Sequence, residues 1–218
     1  KMDFLNFFNS IDEVLLKDRF VKQAIVFTDE DYLLLKGLVF WSPTKTNDGK
    51  AILSVGAPSS PMLSNFVMYE FDSLISTVCD SLKVSYTRYA DDLFFSTNKE
   101  NVLKDIPNIV RYFVDYIYGD SLRLNESKTV FTSKAHNRHV TGIVINNSDQ
   151  LSLGRERKRY IRTMVFNAIN GKASIQDLTK LQGLLSYSQS IEPTFIESLF
   201  RKYSEDKVRN LISAKWRV

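Results

Sequence analysis

The sequence predicts an α+β chain, with a core of short strands and helices followed by a run of helices alone. Three observations carry this prediction. From residue 1 to about 146, segments rich in β-branched and aromatic residues alternate with segments of 3.6-residue apolar spacing. From Gly154 onward only the helical period remains. The charge balance changes at the same place: residues 151–218 hold 13 Lys and Arg against 6 Asp and Glu, whereas residues 1–150 hold 16 against 19. Two domains follow, 1–150 and 151–218, with a boundary in the 147–154 stretch NSDQLSLG. A length of 218 residues, 44% hydrophobic and 25% charged, is that of a globular chain with room for a real core.

Residues 1–8 (KMDFLNFF) read as a strand running into a turn, with Asn9 and Ser10 as breakers. Helical spacing follows over 10–40 through Ile11, Val14, Leu15, residues 24–27 and residues 32–39. Residues 42–50 (SPTKTNDGK) form a polar turn. In GAPSSPMLSNFVMYEFDSLIST a kinked loop leads into a helix, with Ser60 as N-cap and Pro61 at the first helical position. Met62, Leu63, Phe66, Val67, Phe71, Leu74 and Ile75 mark its apolar face. Strands over 83–89 and 92–97 flank the Ala90-Asp91 junction and pair as a hairpin. Residues 101–118 repeat the helical period, and RLNESKTVFTS and HVTGIVINN are rich enough in β-branched residues to predict two more strands. Helices over 155–170, 174–190 and 193–203 complete the chain.

No apolar run reaches the length of a membrane span, and no secretory signal opens the chain. The single Cys79 rules out an internal disulfide framework and fits a reducing compartment. Neither histidine has the spacing partners of a zinc site, and no Ser-His-Asp order or Walker-type loop is present. The chain opens on Lys1 and not on Met, so an upstream segment is expected. An acidic body with a basic last third suggests a polyanionic partner, the alternative being a solvated helical surface.

The feature that demands chemistry is YTRYADDLFFS, where Asp91 and Asp92 adjoin inside an apolar, aromatic stretch. On a straight strand the two would face opposite ways, but at a tight turn both carboxylates reach one rim. There they repel, and burial without a cation costs several kcal/mol or raises a pKa. A divalent ion resolves the conflict, because Mg²⁺ takes one or two carboxylates plus substrate phosphates. A third carboxylate would complete a two-metal site, and Asp3, in a short apolar strand, is the candidate. The competing reading is ordinary turn chemistry. Against it, tips chosen for turn propensity favour Asn-Gly or Asp-Gly over Ala-Asp-Asp-Leu.

Taken together these stretches resemble a reverse transcriptase. YADDL resembles motif C of that family, KMDFLNFFNSI motif A, GAPSSPMLSN motif B, LNESKT motif D and HVTGIVINN the strand pair that grips the primer. They occur in the family's order over roughly residues 1–146, and the basic helices beyond fit a thumb. TRYADDL, GAPSSP and VTG are similar to the bacterial retron type, and LSLGRERKRYIRTM resembles the start of its thumb. Phage-defence and group II intron relatives share parts of this pattern.

The resemblance implies a palm followed by a helical thumb, with the fingers largely absent from these residues. It implies that Asp3, Asp91 and Asp92 hold two Mg²⁺ ions, one activating the primer 3′-hydroxyl and one steadying the triphosphate. Phe4, Phe8, Gly56 and Ala57 would form the nucleotide site, with Phe8 excluding a 2′-hydroxyl and Gly56 admitting the nucleotide close to the backbone. A core aromatic and a structural turn are the plain alternatives for Phe8 and Gly56. Lys128 would be the general acid near the leaving pyrophosphate, or else a solvated lysine. Tyr89 and His139 would contact the primer, His139 having a structural role as its alternative. Arg155, Lys158, Arg159 and Arg162 fall on one helical face and would track a phosphate backbone.

One residue departs from the family pattern: Val55 stands where a glutamine usually touches the incoming nucleotide, so altered nucleotide affinity is expected. The implied activity is RNA-directed DNA synthesis in the bacterial cytoplasm, copying part of a structured RNA in anti-phage defence. The implied partners are that RNA, its DNA product, deoxynucleoside triphosphates and an effector protein, with no membrane. A template-independent or protein-primed polymerase and an RNA-binding scaffold with an incomplete site are the competing readings.

Overall fold

A computed structural model describes residues 1–43, 50–136 and 138–214, which fall into two compact units, Lys1–Phe131 and Thr132–Val218. The first holds β1 (Met2–Asp3), α1 (Phe7–Ser10), α2 (Glu13–Lys22), α3 (Asp29–Val39), β2 (Phe40–Trp41), β3 (Ile52–Leu53), α4 (Ser60–Leu82), β4 (Ser85–Tyr89), β5 (Asp92–Ser96) and α5 (Ile106–Tyr118). The second holds β6 (Arg138–Val140), β7 (Ile143–Ile145), β8 (Leu151–Ser152), α6 (Arg155–Ile169), α7 (Ile175–Ile191), α8 (Pro193–Tyr203) and α9 (Glu205–Ser213). No described helix is long and apolar enough to cross a membrane.

In the first unit three antiparallel strands lie in the order β1-β5-β4. Met2, Leu93 and Arg88 occupy one cross-strand row, and Asp3, Asp92 and Tyr89 the next. Successive rows face opposite sides of a sheet. The Met2–Leu93 side meets the core, where Val67, Phe71, Ile75, Val110 and Val114 from α4 and α5 are all buried. The other side carries the carboxylates.

Local chemistry explains several helix starts. The Asp12 side chain accepts from Leu15 N at 2.8 Å at the head of α2, and Thr28 and Asp31 form a capping box on α3. Helix α4 begins one residue earlier than expected: Ser59 is its N-cap and Ser60 its first residue, whose hydroxyl donates to Ser54 O at 2.6 Å. Met62, expected on the apolar face, is exposed, because the buried stripe runs Leu63–Val67–Phe71–Ile75.

Two further expectations are corrected. The opening strand is two residues long, and Phe7–Ser10 is helical, since Asn6 takes a left-handed backbone (φ 48°) that turns the chain and buries Phe7. Residues 123–133 form no strand. Instead Leu5 N donates to Arg123 O and Asn125 N to Asp3 O, and a 3-10 turn over Glu126–Lys128 follows. The polar turn expected over 42–50 lies mostly outside the described residues. The two compact units divide after Phe131, and β6, β7 and β8 pair with one another as a separate sheet.

The β6–β7 hairpin turns at Thr141-Gly142, both with positive φ (47° and 82°), which is the backbone a two-residue hairpin requires. Beyond it Ile161, Val165, Leu185, Leu199 and Val208 form a second core among α6–α9. Glu192, between α7 and α8, accepts from Ser152 Oγ, Leu153 N and Lys158 Nζ at 2.9, 3.0 and 2.5 Å.

Candidate active site

Directly paired residues of antiparallel strands share a face with Cβ atoms about 4.5–5.5 Å apart. The register Asp3–Asp92–Tyr89 therefore sets two carboxylates side by side with an aromatic ring beyond them. Asp91 sits next to this row in the two-residue turn that joins β4 to β5. Opposed like charges destabilise a sheet. Two lysines offset the repulsion: Lys128 Nζ lies 3.3 Å from both Asp3 oxygens, and Lys1 Nζ donates to Asp92 at 2.8 Å. Asp3 is 5% exposed. Burial pushes its carboxyl above the usual carboxylate range, and the charges of Asp91 and Asp92 push the same way, against the pull of Lys128.

Lys128 reaches Asp3 because residues 123–125 run along β1, with Phe4 and Leu124 forming a bridge, before the 3-10 turn brings the ammonium round. Among the described residues no three His, Cys, Asp or Glu side chains already converge as a metal cage. The donors still suit Mg²⁺, which needs one or two carboxylates and keeps water and phosphate elsewhere. Asp3 and Asp92 would be the first ligands, with Asp91 beside them.

Not every expected residue stands free to act. Phe4 is 2% exposed, with its ring stacked on Phe7 and edge-on to Phe71, so the side chain belongs to the core and offers no face to a nucleotide. Its backbone matters instead, since Phe4 N donates to Asp91 O at 3.1 Å. Phe7 is buried, while Phe8 is half-buried and retains an accessible part. Gly56 has φ 91° with open space where a Cβ would sit, so the turn conformation requires the glycine. Ala57 is half-buried in the same turn, its amide reaching Ser54 O. Val55 beside it is exposed.

Tyr89 is 70% exposed on the carboxylate side of the sheet. His139 is exposed on β6, paired with Val144. On α6, Arg155, Arg159 and Arg162 are exposed, the last with its guanidinium 5.2 Å from the Phe195 ring centroid. Lys158 departs from expectation: it is bonded to Glu192 and lies over the same ring, so its charge is already used within the unit.

Two groups receive no role from spacing or motif. Lys1 is one, holding Asp92. The other is a half-buried cluster on the core side of the hairpin. Arg88 donates to both oxygens of Asp72 on α4 at 2.6–3.2 Å and to Ala90 O at 3.0 Å, and Tyr86 OH donates to Asp72 at 2.6 Å. Burial works against the Arg88 charge, but Asp72 outweighs it and holds the guanidinium above its ordinary value. The one available signal is position: Arg88 falls on the strand's apolar side, where a charge needs a partner.

Comparison with known proteins identifies the family. The family model described as reverse transcriptase (RNA-dependent DNA polymerase) matches residues 1–145. The chain is 46% identical over 211 residues to Retron Ec83 reverse transcriptase of Escherichia coli, covering 97% of this chain and 68% of that protein. It is 30% identical over 216 residues to Retron Ec73 reverse transcriptase and 31% over 164 residues to Retron Ec86 reverse transcriptase, both of Escherichia coli. These matches cover 94% and 72% of this chain, and 66% and 49% of the two relatives. The chain thus spans from half to two thirds of the length of the relatives it matches. Its α+β unit with paired carboxylates is a palm, the helices after it are a thumb, and the chain belongs to the reverse transcriptase family in its bacterial retron type.

Proposed function

We propose that the chain carries the catalytic core of an RNA-directed DNA polymerase that copies part of a structured RNA into DNA. The observation that carries this reading is the cross-strand pairing of Asp3 with Asp92, with Asp91 in the adjoining turn and Lys128 against Asp3. When bound, two Mg²⁺ ions would activate the primer 3′-hydroxyl and neutralise the triphosphate. Asp3, Asp91 and Asp92 hold that charge in place. Lys128 supplies a proton or a positive charge to the departing pyrophosphate. Phe8 stacks beneath the sugar and selects deoxynucleotides, Tyr89 meets the primer end, and Arg155, Arg159 and Arg162 follow the phosphate backbone. A structured RNA as template, the bacterial cytoplasm as setting, and anti-phage defence with an effector protein as context are part of the same proposal, and rest on the resemblance to the retron type.

The test is primer extension on an RNA template with Mg²⁺ and deoxynucleotides, comparing the wild type with Asp91→Asn/Asp92→Asn. Losing metal-held charge removes several kcal/mol of transition-state stabilisation, so extension should fall by more than about 10³-fold. An unchanged rate overturns the assignment. Products made equally well without RNA would point to template-independent synthesis, and tight, salt-sensitive RNA binding with no synthesis by the full-length wild type, fingers included, would point to a scaffold.

A further inference from the structure

Asp91 occupies a two-residue turn entered through Ala90, whose φ of 50° lies in the left-handed region that disfavours a residue with a Cβ. Such a turn persists only if its surroundings over-determine it. Two hydrogen bonds do so, one on each side of Asp91. The Ala90–Asp91 peptide is held by its oxygen, which accepts from Arg88 Nη1 at 3.0 Å. The Asp91–Asp92 peptide is held by its oxygen, which accepts from Phe4 N at 3.1 Å. With both flanking peptide planes fixed, the direction in which the Asp91 Cα–Cβ bond leaves the backbone is fixed as well.

The Phe4 bond comes with strand β1, but the Arg88 bond is built separately. The Arg88 side chain is 7% exposed and lies on the core side of the sheet, away from the carboxylates. Its fork is clamped by Asp72, a residue of α4, and Asp72 is in turn fixed by Tyr86 OH. The Asp72 carboxylate balances the guanidinium, so the cluster adds a direction to the turn and not a net charge. A guanidinium can hold a carboxylate bidentately and still reach a carbonyl; a lysine ammonium cannot keep that planar geometry.

We propose that Arg88 is a positioning residue for catalysis: clamped by Asp72 and Tyr86, it locks the Ala90–Asp91 peptide and thereby aims the Asp91 carboxylate. The inference rests on the polymerase reading only for its consequence, since the lock itself is a property of the free protein. Helix α4 also supplies Asp72 twelve residues after Ser60, where it begins, so the long helix behind the sheet sets the metal-side turn in front of it.

The test compares the wild type with Arg88→Lys, which keeps the charge and loses the fork, and with Tyr86→Phe, which removes one outer bond. Amide hydrogen exchange is measured without metal or nucleic acid on peptides spanning Tyr89 to Phe94, beside the melting temperature. Primer extension is then read as kcat and KM separately. Losing a charge-assisted bond should speed exchange in the turn by about tenfold or more, with the rest of the sheet unchanged. kcat should fall by about tenfold or more with KM for the RNA within about twofold, the pattern of an interaction made in the transition state. Tyr86→Phe should shift both readouts the same way by less. If Arg88→Lys does not fold, Asp72→Asn takes its place with the same expectation. Unchanged turn exchange in a folded variant overturns the proposal, as does a kcat loss that follows the fraction unfolded. A full-length wild type, fingers included, that makes no DNA would sink the polymerase reading, while the exchange comparison still decides the lock.

Discussion

Burial and the charges of Asp91 and Asp92 raise the Asp3 carboxyl above its ordinary value of 3.8, and Lys128 does not reverse this. A carboxyl raised on folding binds more protons in the folded state. Its favourable contribution is complete below the unfolded value and is lost as pH rises through the folded one. At neutral pH, without metal, Asp3 therefore opposes folding. The Lys128 contact is too weak to compensate, since the ammonium is 58% exposed and such pairs contribute about 0–1 kcal/mol. Asp3→Asn should raise the metal-free melting temperature at pH 7 by about 2–4 °C for each kcal/mol recovered, should do so less at pH 3, and should abolish DNA synthesis. A lower melting temperature at pH 7 would show that Lys128 dominates. Phe8 supports a second residue-scale prediction. Because it is half-buried beside a fully buried Phe7, Phe8→Val should increase the ribonucleotide share of incorporation by about tenfold, read by competition between the two triphosphates. The carboxylates are legible in the sequence because like charges in an apolar strand need a reason. The place of Phe4 is not legible, because adjacency to Asp3 says nothing about which face a ring takes, and here the ring faces the core.

Helix α4 and the α6–α8 series are readable from spacing alone, since a 3.6-residue apolar stripe sustained over several turns buries one face only if the segment is helical. Two-residue strands such as β1, β2, β3 and β8 carry too few side chains for any period to show. The segment around Lys128 has the composition of a strand, yet its backbone bonds go to β1 and then into its own turn, a choice made by tertiary pairing. The element joints carry their own prediction. Glu192 joins β8, α6 and the start of α8 through Ser152, Leu153 N and Lys158. Burial alone would raise its carboxyl, but Lys158 and the two other donors outweigh it and hold it below the ordinary 4.5. A depressed carboxyl gives stability that is present above the unfolded value and lost as pH falls through the folded one. Glu192→Gln should cost about 1–3 kcal/mol at pH 7, measured by denaturant unfolding, and the gap to the wild type should close as the solution is taken below pH 4.5. A gap that persists at low pH would mean that shape, and not charge, makes the joint.

Across the whole chain the charge is divided, with an excess of three acidic residues in 1–150 and of seven basic residues in 151–218. A polymerase must keep its carboxylates where metal and triphosphate meet and its cations where the nucleic acid lies, so the imbalance suits the proposed work. Total charge overstates the binding capacity, because cations already paired within the fold release no counterions from a phosphate backbone. Lys158 is paired with Glu192, whereas Arg155, Arg159 and Arg162 are exposed on α6. The two kinds of cation separate in a salt titration. Each phosphate that a cation neutralises adds about 0.7–0.9 to the slope of log affinity against log salt. Replacing Arg155, Arg159 and Arg162 together by Gln should therefore flatten that slope for RNA by about 2–3. Lys158→Gln should leave the slope unchanged while lowering the unfolding midpoint, because the variant weakens the joint at Glu192. An unchanged slope in the triple variant would remove α6 from the nucleic-acid path. A flattened slope in Lys158→Gln would mean that the Glu192 pair opens when RNA binds, and the pair would then be a latch on the thumb instead of a fixed joint.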